Sequence, residues 1–84
     1  MTVVLHDATT IRLVGACGAD DADVLLGHLL ANPAARVDWR DCETAHAAVI
    51  QMLMVAERPL LGPPAGSLLR RIIAPALTHT MGNA

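Results

Sequence analysis

The sequence contains no phenylalanine and no tyrosine, and Trp39 is its only tryptophan. A core must therefore be built from Leu, Val, Ile, Met and Ala, within a hydrophobic fraction of 54%. Aromatic side chains are also the platforms on which single-stranded nucleic acids stack. The net charge of −2 and the isoelectric point near 6.0 indicate no basic surface for phosphates. The composition therefore argues against a nucleic-acid-binding protein.

The sequence also lacks a hydrophobic run long enough to cross a bilayer. The longest run, residues 47–56, has about half of the roughly 20 residues that a spanning helix needs, and Gln51 interrupts it. Residues 1–10 show no basic start, extended apolar region or small-residue cleavage site of an export signal. Cys17 and Cys42 form no CxxC motif. We therefore expect a cytoplasmic protein with two free thiols and no membrane insertion.

A strand, a polar loop and a long helix are predicted within RVDWRDCETAHAAVIQMLMVAE, residues 36–57. In residues 36–40, valine and tryptophan alternate with charged residues, as in a half-covered strand. Residues 41–44 are polar and predict a loop. Residues 45–56 contain no Gly or Pro and predict an apolar helix, which the hydroxyl of Thr44 caps at its N-terminus.

The predicted helix is apolar on two sides, at about 100° of rotation per residue. The side assigned to the sheet consists of Ala45, Ala48, Val49, Met52 and Ala56. The outward side consists of Ala47, Ile50, Gln51 and Met54, with His46 and Glu57 at its edge. Ile50 and Met54 form a candidate contact patch, because grouped apolar side chains on a surface often mark association. The alternative is that the last helix or the C-terminal tail covers them.

The chain before this helix predicts a hairpin and a first helix. Residues 2–7 and 10–14 are β-branched, apolar runs that predict the hairpin, and residues 15–19 predict a loop. The aspartates that favour a helix start by capping and by the helix dipole are Asp20, Asp21 and Asp23. The predicted buried face of this helix consists of Ala22, Leu25, Leu26, Leu29 and Leu30. Asn32 and Pro33 end it.

The C-terminal part predicts a short strand at residues 59–61, a turn at residues 62–66 and a last helix. The predicted buried face of that helix consists of Leu68, Leu69, Ile72, Ile73, Ala76 and Leu77. Pro75 is expected to end or kink the helix, and the tail from Thr78 to fray. The order ββαβαβα predicts one α/β domain, residues 1–84, with a single-layer, mixed four-stranded sheet and helices packed on it.

Val37 and Asp38 in the predicted strand, followed by AVIQMLM at residues 48–54, form a pattern that resembles the STAS domain. This family includes anti-sigma factor antagonists and cytoplasmic domains of sulphate transporters. The element order agrees with the family over residues 2–77. The resemblance implies a bacterial signalling domain that regulates a protein partner and has no chemistry of its own.

The chain departs from the STAS pattern at the start of the central helix. STAS domains carry an Asp followed by Ser or Thr there, and phosphorylation of the hydroxyl controls binding to a partner kinase. Without gaps, these positions are His46 and Ala47. Ala47 has no hydroxyl, so the resemblance implies a minimal member that lacks the phosphorylation switch. We interpret Thr44, the nearest hydroxyl, as a helix cap rather than a displaced phosphorylation site.

A second hypothesis is a small metal- or thiol-dependent enzyme, or a ligand-binding protein, that uses Cys42, Glu43 and His46. Glu43 and His46 are three residues apart and can meet on one helical turn. Cys42 lies before a predicted helix N-terminus, which favours a thiolate. Against a metal, the rest of the chain has no second ligand pair with zinc-like spacing.

Residues 62–67 lack the lysine of a phosphate loop and predict only a helix start.

The sequence thus favours a non-catalytic protein-interaction module without a cofactor or a metal. The residues expected to contact the partner are Asp41, Thr44, His46, Ala47, Ile50, Gln51 and Met54. By resemblance, the partner is an anti-sigma kinase, a chemotaxis-type signalling protein or the ATPase of a transporter. A homodimer is the other expected assembly. Because the patch is small, we expect a weak contact.

Overall fold

Two long strands, β2 (Thr10–Cys17) and β3 (Arg36–Ala45), lie side by side in parallel at the centre of the molecule. The structure is a computed structural model that describes residues 2–77. The pairing continues to the last residue of both strands and contains two register shifts, the second between Gly15 and Ala16. Gly15 has φ 72°, a conformation that a residue without Cβ adopts at little cost.

The predicted N-terminal hairpin is confirmed, since β1 (Val3–Asp7) pairs antiparallel with β2. In its turn, Asp7 Oδ1 accepts hydrogen bonds from the backbone N–H of Thr9 at 2.8 Å and from its hydroxyl at 2.7 Å. These bonds hold the pKa of Asp7 below its ordinary value. The prediction of a loop at residues 15–19 is wrong for residues 15–17, because pairing with β3 keeps β2 extended as far as Cys17.

A short strand, β4 (Leu60–Leu61), pairs in parallel with β3 and completes a mixed sheet of order β1-β2-β3-β4. The crossovers are α1 (Asp21–Ala31) and α2 (Ala47–Ala56). A C-terminal helix follows, which consists of a π-helical segment, Leu69–Ile73, and α3, Ala74–Leu77. The predicted α/β class, with a four-stranded mixed sheet and three helical regions, is confirmed.

One hydrophobic core joins the sheet to all three helical regions. The strands contribute Val3, Ile11, Leu13, Val37 and Trp39. The helical regions contribute Leu25, Leu29, Val49, Leu53, Leu69 and Leu77. Alternation along β2 and β3 sends the remaining side chains to the opposite face of the sheet, which carries paired charges. The helices therefore pack on the sheet, as predicted, and they cover one of its faces.

Helix α1 is confirmed, but its buried stripe is narrower than predicted. Leu30 is largely exposed and Leu26 is 38% exposed, whereas Ala22, Leu25 and Leu29 are buried. Asp20 occupies the N-cap position without a capping hydrogen bond from its side chain. Instead, Asp21 Oδ2 accepts a hydrogen bond from the N–H of Gly18 at 2.7 Å.

Arg58, which follows α2, holds the C-terminal end of α1. Its guanidinium donates hydrogen bonds to the carbonyl oxygens of Leu29 and Asn32, each at 3.0 Å, and of Ala35 at 2.8 Å. The last carbonyls of a helix have no partner within the helix. The Arg58 side chain thus provides hydrogen-bond donors for carbonyl oxygens at the end of α1 and in the turn that leads into β3.

The sequence predicted that the C-terminal helix would end or kink at Pro75. The helix does not end there but continues to Leu77, and its geometry is irregular. The irregularity comes before the proline: the N–H of Ala74 donates to the carbonyl of Leu69, five residues back. A proline has no N–H and crowds the carbonyl four residues before it, and the wider π-helical turn makes room. The expected fraying from Thr78 lies outside the described residues.

Replacing Arg58 with Met should lower the free energy of unfolding by about 2 kcal/mol, because the apolar stem remains but three carbonyls lose a charged donor. Urea unfolding measures the change. The matched control is Arg71→Met, since the exposed Arg71 guanidinium has no hydrogen bond to any residue of the described part of the chain. Equal stability of the two variants would contradict the role given to Arg58.

Candidate functional site

The polar residues 41–44 continue β3 instead of forming the predicted loop. Their backbones pair with the second half of β2, and these long-range hydrogen bonds outweigh the weak strand propensity of Asp and Glu. Cys42 is buried on the core side, whereas Asp41 and Glu43 are exposed. The strand ends only at Ala45.

Helix α2 begins at Ala47, two residues later than predicted, and its cap is His46 rather than Thr44. The Nδ1 atom of His46 accepts a hydrogen bond from the N–H of Ala48 at 3.0 Å, which satisfies one of the free donors at the helix start. Thr44 cannot cap the helix because it belongs to β3. At the other end, α2 stops at Glu57, whose φ of 52° is left-handed.

The prediction of which side of α2 faces the sheet is correct for the middle of the helix. Val49 is buried, and the half-buried residues beside it are Ala48, Met52 and Ala56. Leu53, which the prediction assigned to neither side, is also buried. On the outward side Ile50 is half-buried, Met54 is exposed, and Val55, which was not predicted to contribute, is 79% exposed. Thus Ile50 is partly covered within the monomer and Met54 is not.

A groove of about 340 Å³ lies between the end of β3, the first half of α2 and the C-terminal helix. We call it the α2 groove. Its lining is mainly apolar and consists of Glu43, Thr44, Ala45, Ala47, Ile50, Gln51, Leu68, Leu69 and Ile73. Leu69 is buried, whereas Leu68 is 59% exposed. The groove therefore offers water-accessible apolar surface beside a packed core.

Four of the residues predicted to contact a partner lie together in this groove: Thr44, Ala47, Ile50 and Gln51. The other three do not line it. Asp41 forms an ion pair with Arg12, His46 caps α2, and Met54 lies farther along the helix. Leu68 was expected on a buried face. The doublets of apolar residues in the last helix gave no signal that distinguished Leu68 from its buried neighbour.

Gly66 brings the C-terminal helix against β3 and so forms one wall of the groove. Its N–H donates to the carbonyl oxygen of Cys42 at 3.0 Å. A Cβ at this position would lie 1.7 Å from the backbone oxygen of Glu43, which leaves no space for any other residue.

Cys42, Glu43 and His46 do not converge on a common point. Cys42 faces the core, where its Sγ lies 4.0 Å from the Sγ of Cys17, while Glu43 is exposed. Burial above all, together with Cys17, raises the pKa of the Cys42 thiol to about 12. Such a thiol is not ionised at neutral pH and is a poor nucleophile. Within residues 2–77, no three His, Cys, Asp or Glu side chains are placed to share a metal ion.

The open face of the sheet carries two ion pairs between arginine and aspartate side chains. The Asp38 carboxylate accepts hydrogen bonds from Arg40 Nε at 3.0 Å and Nη2 at 2.8 Å, and these bonds lower the pKa of Asp38. Arg12 is paired with Asp41 nearby. All four side chains line a polar hollow of about 590 Å³. Among the described residues, no buried side-chain nitrogen or oxygen lacks a hydrogen bond.

Comparisons of the chain with protein-family models, with curated proteins and with solved structures gave no match. The STAS resemblance therefore depends on the residues and element order of this chain alone. Between residues 2 and 77, none of the helices has both the length and the apolar content needed to cross a bilayer.

The buried thiols predict a loss of stability at alkaline pH. An unperturbed cysteine ionises near pH 9.0, whereas burial raises the pKa of both Cys17 and Cys42 in the folded protein. The neutral thiols stabilise the fold fully below pH 9, and this stabilisation is lost as the pH rises toward 12. We expect the free energy of unfolding to fall by about 1 kcal/mol per pH unit between about pH 9 and pH 11.

Urea unfolding followed by the fluorescence of the buried Trp39 measures this dependence. The chain has neither Lys nor Tyr, so no other side chain titrates strongly in this range. The variant Cys42→Ala should show a clearly smaller slope. An unchanged slope would contradict the assignment to the thiols.

Replacing Gly66 with Ala should destabilise the protein by about 2 kcal/mol or more, because the new Cβ meets a backbone oxygen that cannot move without shifting β3. Gly18→Ala is the matched control, since a Cβ there has nothing within 4 Å. Thermal unfolding of both variants tests the role of Gly66. If the two midpoints were lowered equally, the close approach to β3 would not matter.

Proposed function

We propose that this protein is a non-catalytic, cytoplasmic regulatory module of STAS type that binds a protein partner through the α2 groove. The observation that carries the proposal is the groove itself, where Leu68 is 59% exposed beside buried Leu69. Exposed apolar grooves of this kind favour the insertion of apolar side chains from a partner. Gln51 and Thr44 at the groove provide polar groups that can orient such a partner.

Several features of the chain support the STAS assignment. The element order agrees with the resemblance, and the Val37-Asp38 pair lies within β3, directly before the apolar helix α2. Ala47, at the position where the STAS pattern carries a phosphorylated hydroxyl, lies in the groove. Binding in this protein is thus proposed to occur without a phosphorylation switch. An anti-sigma kinase, a chemotaxis-type signalling protein or a transporter ATPase is the proposed partner.

The size of the groove indicates the strength of the contact. Complete burial of one large apolar side chain contributes about 1.5–3 kcal/mol. A groove of about 340 Å³ accepts only a few side chains. We therefore propose a reversible regulatory complex rather than a permanent one.

The enzyme hypothesis has less support from the geometry. Cys42 is directed into the core and protonated, and His46 Nδ1 is engaged at the helix start. Glu43 lines the α2 groove, and neither Cys42 nor His46 does.

The proposal predicts that Leu68→Glu weakens partner binding by at least about tenfold, because a carboxylate replaces apolar surface in the groove. Calorimetric titration should use the purified kinase, signalling protein or transporter ATPase encoded beside the gene of this protein. The matched control is Val55→Glu, which places the same charge on a side chain that is 79% exposed and outside the groove.

Circular dichroism of both variants checks that they fold. The proposal is supported if Val55→Glu binds the partner as tightly as the wild type and Leu68→Glu does not. The proposal is overturned if none of the three partner types binds, or if the two variants bind equally well.

A further inference from the structure

Strand β1 forms an open edge of the sheet. The strand order places it at one end, and no described residue pairs with its outer side. Four of its five residues are exposed, and among them Val4 and Leu5 are large and apolar. An edge strand with free backbone groups is a template for pairing with another strand.

The hydrogen-bonding pattern shows which groups are free at this edge. The carbonyl of Thr2 accepts a hydrogen bond from the N–H of Val14 at 2.8 Å and so points toward β2. In an antiparallel pair the backbone groups of successive residues point alternately toward and away from the neighbouring strand. The N–H and C=O groups of Val4 therefore point toward β2, and those of Val3 and Leu5 point outward.

Edge strands are usually protected by a proline, a lysine or a bulge. The β1 sequence VVLHD has no proline and no basic residue other than His6, and its register shift lies between Leu5 and Asp7, beyond the apolar part. The opposite edge differs, because β4 has only two residues and is flanked by Pro59 and Pro63. Of the two edges, β1 is the one open to strand addition.

We infer that β1 pairs antiparallel with β1 of a second copy of this chain, which joins the two sheets into one. A two-fold axis at Val4 places Val3 of one copy opposite Leu5 of the other, so that their outward groups exchange hydrogen bonds. Val4 then faces its own copy across the axis. No like charges are opposed at the centre of this pairing, and nearby Arg12 is neutralised by Asp41.

A second copy of the chain fits this edge, because every copy presents the same outward donors and acceptors in the same order. The contact does not depend on the α2 groove, since no residue of β1 lines the groove and β2 lies between β1 and β3. One pair of short strands buries less surface than a permanent dimer requires, so the dimer forms at high protein concentration.

Sedimentation velocity over a concentration series that extends into the millimolar range tests the inference with the full chain. The mass should double as concentration rises. Backbone amide exchange provides an independent measurement on the wild type: the Val3 and Leu5 amides should become protected only in the dimer, whereas the Val4 amide is protected throughout. A monomer at all concentrations overturns the inference and leaves the edge to an extended strand of another protein.

The variant Val4→Lys places two like charges opposite each other on the axis and should weaken the dimer by at least about tenfold. Leu26→Lys is the matched control, since Leu26 is 38% exposed and Val4 is 36% exposed. Leu26 lies on α1, away from the β1 edge. A dimer that withstands Val4→Lys, or that forms without protection of the Val3 and Leu5 amides, uses another surface and refutes this pairing.

Discussion

Backbone hydrogen bonds to β2 hold β3 extended from Arg36 to Ala45, although residues 41–44 are of types that ordinarily favour turns. The N–H of His46 continues this pairing by donating to the carbonyl of Cys17 at 2.8 Å. Only beyond this bond is the chain free to turn, and α2 starts at the next residue. The length of the β2–β3 ladder thus determines where the central helix begins and which side chain caps it.

The same ladder determines what lies beneath and beside it. It places the sulfurs of Cys17 and Cys42 in contact within the core, which makes them packing groups rather than reactive thiols. Because β4 is short, the outer edge of β3 beyond it has no strand partner. There the N–H of Gly66 donates to the carbonyl of Cys42. The C-terminal helix rests on this contact, so the α2 groove exists because the strand is long.

Elements with a local signal could be predicted from the sequence. The β-branched runs of the hairpin and the leucine spacing of α1 are examples, and outward-facing positions such as Ile50 and Gln51 followed from helical periodicity. Features that need partners distant in the chain could not. Arg58 reaches carbonyls in and after α1, and β3 continues because of β2. The exposure of Leu68 depends on which elements cover the last helix, and periodicity within one helix does not contain that information.

The two proposed contact surfaces share no residue, and β2 lies between β1 and the strand that lines the groove, so occupation of one leaves the other free. A sheet continued through β1 would hold two α2 grooves in one particle. Two weak sites on one particle bind a dimeric or clustered partner more tightly than either site alone, because the second contact forms at a high effective concentration. The open face of the sheet is polar, with two Arg–Asp ion pairs, and a polar face disfavours apolar association. Two small contacts, one at each α2 groove of the dimer, can therefore bind such a partner together without either interface being larger.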